Sequence, residues 1–371
     1  MVWRLVAPGV IAALAVLLQA CAGGSAPAAP AAAPTSGVPA AAAAAPAATV
    51  AANPAPTRLK IGYIPSAICS GIYLAVNRGY FAEEGLELDM ETFDAGERMI
   101  PALATNQMVI GAGGLSAGLY GALNRGAALK VVAGLTTHEP GYASTAIVVR
   151  KDLYDSGAIR SFADMRGRTL GLIAPSSGLA IDMSRAFQEA GMSDADVNWE
   201  TLSFPDQVPA LANGAIDVSV LTEPFVARVV QSGIGVRWKG MDEVFPYHQA
   251  SVLMYAPDFP REQPEAAVRF LAAYLRGARD FTDAVKHGRD RAGVFRVLAE
   301  YTPIKDLSLY EIMVPSGIDP DGALNLESMD YDQDWYVARG YMREKVDLST
   351  VVDLSHRDAA LQRVGRYVPR P

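Results

Sequence analysis

The chain has 371 residues, half of them hydrophobic, and 32 Lys and Arg against 40 Asp and Glu give a formal net charge of −8. An acidic chain without a basic cluster is a poor nucleic-acid binder, so no nucleic-acid partner is expected. Beyond residue 18 no uninterrupted apolar run reaches the roughly 20 residues of a membrane-spanning helix, which leaves the body of the chain without a membrane segment.

At the N-terminus Arg4 supplies a short positive region, residues 5–18 an apolar run, and Ala20 the small residue before Cys21. Residues 1–20 therefore read as a bacterial lipoprotein signal with Cys21 as the lipidated residue. An ordinary secretory signal with an incidental cysteine is the alternative, and either one takes the chain out of the cytosol. Loss of residues 1–20 removes only Arg4, moving the charge from −8 to −9. Residues 22–57 are almost entirely Ala, Pro, Gly, Ser, Thr and Val, with no aromatic and no charged residue. Such a stretch buries too little to offset its ordering entropy. It reads, with Cys21, as a tether over residues 21–57 that would reach on the order of 100 Å when extended at about 3.1 Å per residue. With Cys21 committed to lipid, Cys69 has no partner, and the fold must rely on its core.

Folded structure is expected from Arg58 onward. Residues 59–63 read as a strand, 71–76 as a helix, 86–91 as an alternating strand, 97–105 as a helix, 108–112 as a strand, 116–124 as a helix and 129–135 as a strand. The same grammar restarts with strands near 169–173, 197–202 and 216–221, alternating with helices at 178–190, 207–213 and 224–231. Strands separated by helices of this length imply parallel pairing in an α/β sheet. After Gly235 come one more strand, 249–255, and helices at 264–286, 289–301 and 331–344, which have no strands of their own to cover. They are expected to return to the first unit. Residues 58–145 plus 248–371 then form lobe 1 and 146–247 lobe 2, joined by crossover segments near 142–148 and 245–251.

Ile61-Gly62-Tyr63-Ile64-Pro65, then Tyr73-Leu74-Ala75-Val76-Asn77-Arg78-Gly79-Tyr80-Phe81 and Glu84-Gly85-Leu86, resemble the opening of the periplasmic solute-binding proteins of the thiamine-pyrimidine, sulfonate and nitrate type. Ala102 to Ala112, Gly126 and Lys130-Val131-Val132-Ala133 resemble the rest of that family's first lobe, and Phe162 to Gly171 with Thr222-Glu223-Pro224-Phe225 resemble its second. Met108-Val109 departs from relatives that carry an acidic residue before the Ile-Gly. The resemblance implies a two-lobed periplasmic-binding-protein fold, type II-like and α/β, each lobe a mainly parallel sheet flanked by helices, with a hinge of two crossover segments. It implies a clamp that captures a small solute between its lobes and hands it to an ABC importer in the membrane, and with Cys21 lipidated the protein is expected to be anchored on the extracytoplasmic face. A monomer is expected.

In open α/β sheets ligands sit beyond the C-terminal ends of strands, so the loops there supply the candidates. They are Tyr63, Ser66, Cys69 and Tyr73 around the first strand, Phe93 after the second, Gly114 and Ser116 after the third, and His138 and Tyr142 after the fourth. Ser176, Ser177 and Glu223 come from the second lobe. Each has a plainer reading. Gly113-Gly114 suits a turn, Ser176-Ser177-Gly178 a helix cap, and Glu223 the start of the helix after Pro224. Tyr63 and Tyr73 suit a core, His138 a hydrogen-bonded loop, and Cys69 a small apolar wall, since no basic neighbour in sequence activates it.

These loops offer only His138 and Arg98 as cationic groups against Asp94, Glu139 and Glu223, which disfavours an anion such as a sulfonate or nitrate. Aromatic rings and hydroxyls suit a flat, uncharged heterocycle, with riboflavin ranked ahead of a thiamine pyrimidine precursor. An enzyme of the thiamine-pyrimidine-synthesis type would need a cysteine-rich segment that the body lacks, and a ligand-sensing lipoprotein is a third class. No catalytic residue and no cofactor is expected. No metal site is expected either, because His138, His248, His287 and His356 are scattered without ligand spacing.

Overall fold

The computed structural model describes residues 55–369, so the signal at 1–20, the lipidation at Cys21 and nearly all of the tether lie outside the described residues. In chain order the strands are β1 (Thr57–Tyr63), β2 (Leu86–Thr92), β3 (Ile110–Gly114), β4 (Lys130–Thr137), β5 (Thr145–Arg150), β6 (Thr169–Leu172), β7 (Asn198–Thr201), β8 (Val218–Thr222), β9 (Gly235–Gly240) and β10 (Gln249–Tyr255). They form two five-stranded sheets, ordered β2-β1-β3-β10-β4 and β7-β6-β8-β5-β9.

In the first sheet β1 pairs in parallel with β2 and β3, while β10 lies antiparallel between β3 and β4. In the second, β6 pairs in parallel with β7 and β8, while β5 lies antiparallel between β8 and β9. Each sheet is therefore mixed: four strands point one way and one points back. The reversed strands are the two that follow a crossing between the sheets. Each begins where the other strands end, and so has to run away from that edge.

β5 and β9 are absent from the sequence reading. β5 is the apolar run Thr145-Ala146-Ile147-Val148-Val149, buried on both faces in a central position, and on sequence it merges with the crossover. β9 carries Arg237 and Lys239 at an edge, where charged side chains are usual. β2, the edge of the first sheet, alternates as expected, and its Glu87 and Glu91 pair with Arg58 and Lys60 of β1 at 2.9 and 2.7 Å.

The C-terminal helices pack on the first sheet's side. Helix Pro264–His287 crosses helix Ser70–Asn77 so closely that a Cβ on Gly277 would lie 2.1 Å from the carbonyl oxygen of Gly71. Only glycine fits there. Arg279, almost fully buried on the same helix, ties down the chain's end by donating to the carbonyls of Pro320, Val364 and Gly365 and to Asp321. The helix expected at 331–344 spans Leu326–Ala338 instead, because Asn325 caps its start by accepting from the Ser328 N–H and Gly340, at φ +73°, lies just past its end. No helix among the described residues is long and apolar enough to cross a membrane.

Candidate functional site

The crossings between the sheets run side by side. His138, just past β4, donates its N–H to the carbonyl of His248 at 3.0 Å, and the Tyr247 N–H returns to the carbonyl of His138 at 2.8 Å. Gly141 N–H donates to Asp242 at 2.8 Å, tying the outgoing segment to the returning one. Residues 110 positions apart thus form one two-stranded hinge.

A cavity of about 70 Å³ lies between the sheets beside this hinge. Its wall is built from strand ends: Ile64 after β1, Gly114 to Ser116 after β3, Thr136 on β4, Ile173 and Ala174 after β6, and Thr222 on β8. Thr145 and Ser251 come from the starts of the reversed strands β5 and β10. Glu97, Ser177, Asp182, Phe204 and His248 complete its polar and aromatic part. The surface the wall presents is mostly apolar, with hydroxyls and two carboxylates set into it, and among the described residues that line it there is no lysine or arginine.

The two sides touch directly. Ala117 N–H donates to the carbonyl of Ser176 at 3.0 Å, and Gly178 N–H donates to that of Leu115 at 3.2 Å. The Ser176 hydroxyl donates to Glu97. A second staple is Glu223. Its carbonyl accepts from Ala67 N–H at 3.0 Å, and its carboxylate accepts from the N–H groups of Ala227 at 2.9 Å and Val314 at 3.1 Å. Burial pushes the Glu223 pKa up to about 7, against those two amides, which favour the charged form.

At the back of the cavity lies a cluster of fully buried titratable groups, with Asp182 and His248 on its wall. Asp182, on helix Gly178–Glu189, places Oδ1 2.7 Å from His248 Nδ1 and Oδ2 3.8 Å from His138 Nδ1. His248 Nε2 hydrogen-bonds Asp332 Oδ1 at 2.8 Å, and the two imidazole rings meet edge to face at 5.4 Å. Burial alone would discharge His248, but the carboxylates of Asp332 and Asp182 outweigh it and hold its pKa well above the usual value. His138 goes the other way: burial lowers it to about 4, only partly offset by Asp182.

Of the residues picked from sequence, Gly114, Ser116 and Ser177 line the cavity. Ser176 stands at the rim in its bond to Glu97, and His138 sits one layer behind the wall. The others lie elsewhere. Tyr73 is fully buried in the core, stacked on Tyr301 with its hydroxyl donating to the carbonyl of Ile64 at 3.1 Å, and Tyr63 packs edge to face on it. Cys69 is fully buried below them, and burial pushes its thiol up to about 12. Ser66 is buried beside Cys69, Phe93 packs beneath β1 against Gly62, and Tyr142 lies on the outer side of the hinge under the Lys286 ammonium. Glu223 is buried between the sheets rather than on the wall. Strand ends supply much of the lining of this cavity, but strand-end logic cannot say which side of each loop faces it. Glu97, Thr136, Asp182, Thr222, His248 and Ser251 also line the cavity and are not among the candidates drawn from sequence, although Thr136 and Thr222 belong to the loops that sequence points to. His248 was set aside for its distance in sequence from His138, which the paired crossings cancel.

Residues 67–285 match the model of the family described as NMT1/THI5 like. The bicarbonate transport ATP-binding protein CmpC of a Synechocystis species is 28% identical over 234 residues, covering 58% of this chain and 34% of that protein. The chain thus spans about a third of that relative's length. The riboflavin-binding protein RibY of Chloroflexus aurantiacus is 26% identical over 275 residues, 72% of either chain. Among solved structures, the alkanesulfonate-binding protein SsuA of Xanthomonas axonopodis pv. citri, bound to MOPS, superposes with a TM-score of 0.65 at 19% identity, over 82% of this chain and 99% of that one. The fold is therefore that of the periplasmic binding proteins, and the chain belongs to the NMT1/THI5-like family.

Proposed function

We propose that the chain is the extracytoplasmic solute-binding component of an ABC importer, a monomeric clamp that captures a small solute between residues 58–145 plus 248–371 and residues 146–247. Cys21 is its lipid anchor, the Ala/Pro stretch its tether, and a membrane permease its partner. The observation that carries the reading is the cavity at the strand ends of both sheets, bounded by the hinge on one side and by the Ser176 contacts on another. Such a cleft opens and closes by rotation about two short segments.

The cargo this wall suits best is a compact, uncharged or weakly basic heterocycle. The Thr222 hydroxyl has no protein partner and offers a hydrogen bond of either sense, the Ser116 hydroxyl keeps its proton while its oxygen caps a helix, and Glu97 accepts from an amino group. In this closed arrangement the cavity favours a single pyrimidine ring over riboflavin, whose three fused rings need a wider cleft. The relatives are named for cargoes as different as bicarbonate, riboflavin and alkanesulfonate, so chemistry at the wall has to discriminate. A free anion would meet the Glu97 and Asp182 carboxylates with no lysine or arginine beside them among the described lining residues. Titration of the chain with an aminopyrimidine, riboflavin, an alkanesulfonate and bicarbonate, followed by calorimetry, tests this. The aminopyrimidine is expected to bind, and Glu97→Gln to weaken it at least about tenfold, as loss of a charge-assisted hydrogen bond does. Ser176→Ala, which removes only the rim contact, should weaken it less. Binding of the sulfonate or bicarbonate without the heterocycles overturns the choice of cargo.

A further inference from the structure

We infer that His138, Asp182 and His248 form a binding site for a divalent transition-metal ion, which would join the hinge to helix Gly178–Glu189 at the back of the cavity. One ligand atom from each lies within 4.8 Å of those of the other two, and all three residues are buried. Around a four-coordinate zinc ion, with bonds of about 2.0–2.2 Å, ligand atoms sit roughly 3.4 Å apart. His248 Nδ1 stands 2.7 Å from Asp182 Oδ1 and His138 Nδ1 3.8 Å from Asp182 Oδ2, and with the widest pair of ligand atoms within 4.8 Å, short side-chain shifts bring the three to that spacing.

Three further observations set this cluster apart from a hydrogen-bonded charge network. His248 Nδ1 and Asp182 Oδ1 approach closely but off the hydrogen-bonding direction, so both atoms lack a directed partner. Both nitrogens of the fully buried His138 ring also lack a hydrogen bond of normal geometry, the main chain of Phe245 making only a weak contact. On the far side of His248, Nε2 bonds the Asp332 carboxylate at 2.8 Å. A carboxylate behind an imidazole is the usual way a metal-ligating histidine is held in orientation. With Asp332 on Nε2, Nδ1 is the nitrogen turned toward Asp182.

Two imidazoles and one carboxylate suit zinc and its first-row neighbours better than calcium or magnesium, which take oxygen ligands. On binding, the metal takes the place of the proton on His248 Nδ1, and that proton leaves to solvent. Asp182 and His248 both line the cavity, which leaves a fourth position open to water or to a nitrogen or oxygen atom of a solute. His138 and His248 belong to the two crossings and Asp182 to the opposite sheet's helix, so an ion there favours the closed clamp.

The test uses the full-length chain without a histidine tag, stripped with chelator and titrated with zinc chloride, with cobalt(II) as a spectroscopic probe. One zinc per chain and the visible absorption of a four-coordinate cobalt site are expected. His138→Gln and Asp182→Asn should each weaken zinc binding at least tenfold. Asp332→Asn should weaken it about tenfold, in the range for residues that orient a ligand. His287→Gln, at an exposed position, should leave it unchanged. Circular dichroism identifies variants that fail to fold, and for those the cobalt spectrum of the wild-type chain decides. Absence of a four-coordinate cobalt spectrum, or zinc binding unaffected in folded His138→Gln and Asp182→Asn, overturns the site. Solute titrations with and without zinc separate this inference from the transport reading. Zinc binding with no solute bound leaves the site standing alone, and solute binding without zinc does the reverse.

Discussion

Ala117 donates its backbone N–H to the carbonyl of Ser176 across the cleft, at 3.0 Å. Ala117 opens helix Ala117–Asn124, with Ser116 as its cap accepting from Leu119 N–H. The first helical position needs no N–H for the helix itself and accepts proline, and the extended Ser116 backbone (φ −156°, ψ 158°) suits the residue before one. Ala117→Pro therefore removes one hydrogen bond between the sheets with little cost to the helix, and its ring carbon, taking the place of the N–H, crowds the Ser176 carbonyl. The lost bond alone is worth about 1 kcal/mol, so if the proposed clamp opens here the shift toward an open form should be at least about fivefold. Small-angle scattering should show a larger radius of gyration for the variant at unchanged helix content. An unchanged radius would mean that this contact does not govern closure.

Glu223 makes a second contact between the sheets, and it titrates. Its folded pKa of about 7 stands above the 4.5 of an ordinary glutamate, so the folded chain binds more protons between those values. The contribution of Glu223 to stability is then fully present below about pH 4.5 and is lost as pH rises through about 7, on the order of 3 kcal/mol for a shift of this size. Glu223→Gln cannot titrate, and the slope that wild type shows in this window should be absent from it. Urea unfolding of both proteins at several pH values measures the difference, and parallel curves would contradict the assignment.

Gly277 and Gly71 mark where helix Pro264–His287 lies on helix Ser70–Asn77. Gly277→Ala puts a methyl against the Gly71 carbonyl, and overpacking of this kind costs about 1–3 kcal/mol, more than the gain in helix propensity returns. Denaturant unfolding should show a lower midpoint at an unchanged slope. A more stable variant would mean that the helices move apart at little cost.

Much of the architecture is legible along the chain because most strands here are short apolar runs set off by helices with clear ends. The hinge strand β5 is not, because a fully buried strand has no alternation to read and its boundary with the crossover is invisible locally. Nor is the charge cluster. Asp182 sits on a helix face where an acid would ordinarily meet solvent, and nothing near it in sequence announces His138 or His248. Only the pairing of the two crossings, seen in the bonds between His138, Tyr247 and His248, makes neighbours of them. The tyrosines fail for the opposite reason. Tyr73 follows a strand-end loop closely, yet its helix turns it inward, where Tyr63 and Tyr301 enclose it.

Cys69 settles which class of chemistry deserves a test. A catalytic or redox-active thiol needs a lowered pKa and access, and this one is fully buried with its pKa pushed up to about 12. At pH 8 its thiolate would be scarce by about four orders of magnitude, and reagent could not reach it without unfolding. Alkylation of the native chain at pH 8, followed by peptide mass spectrometry, should leave Cys69 unmodified for as long as the fold persists and modify it fully in denaturant. The same experiment reads Cys21. In protein extracted from bacterial membranes a lipidated Cys21 has its sulfur blocked and stays unlabelled even in denaturant, whereas an incidental cysteine in the chain would label at once. Rapid native labelling of Cys69 would reopen thiol catalysis, and labelling of Cys21 would remove the anchor from the proposed importer.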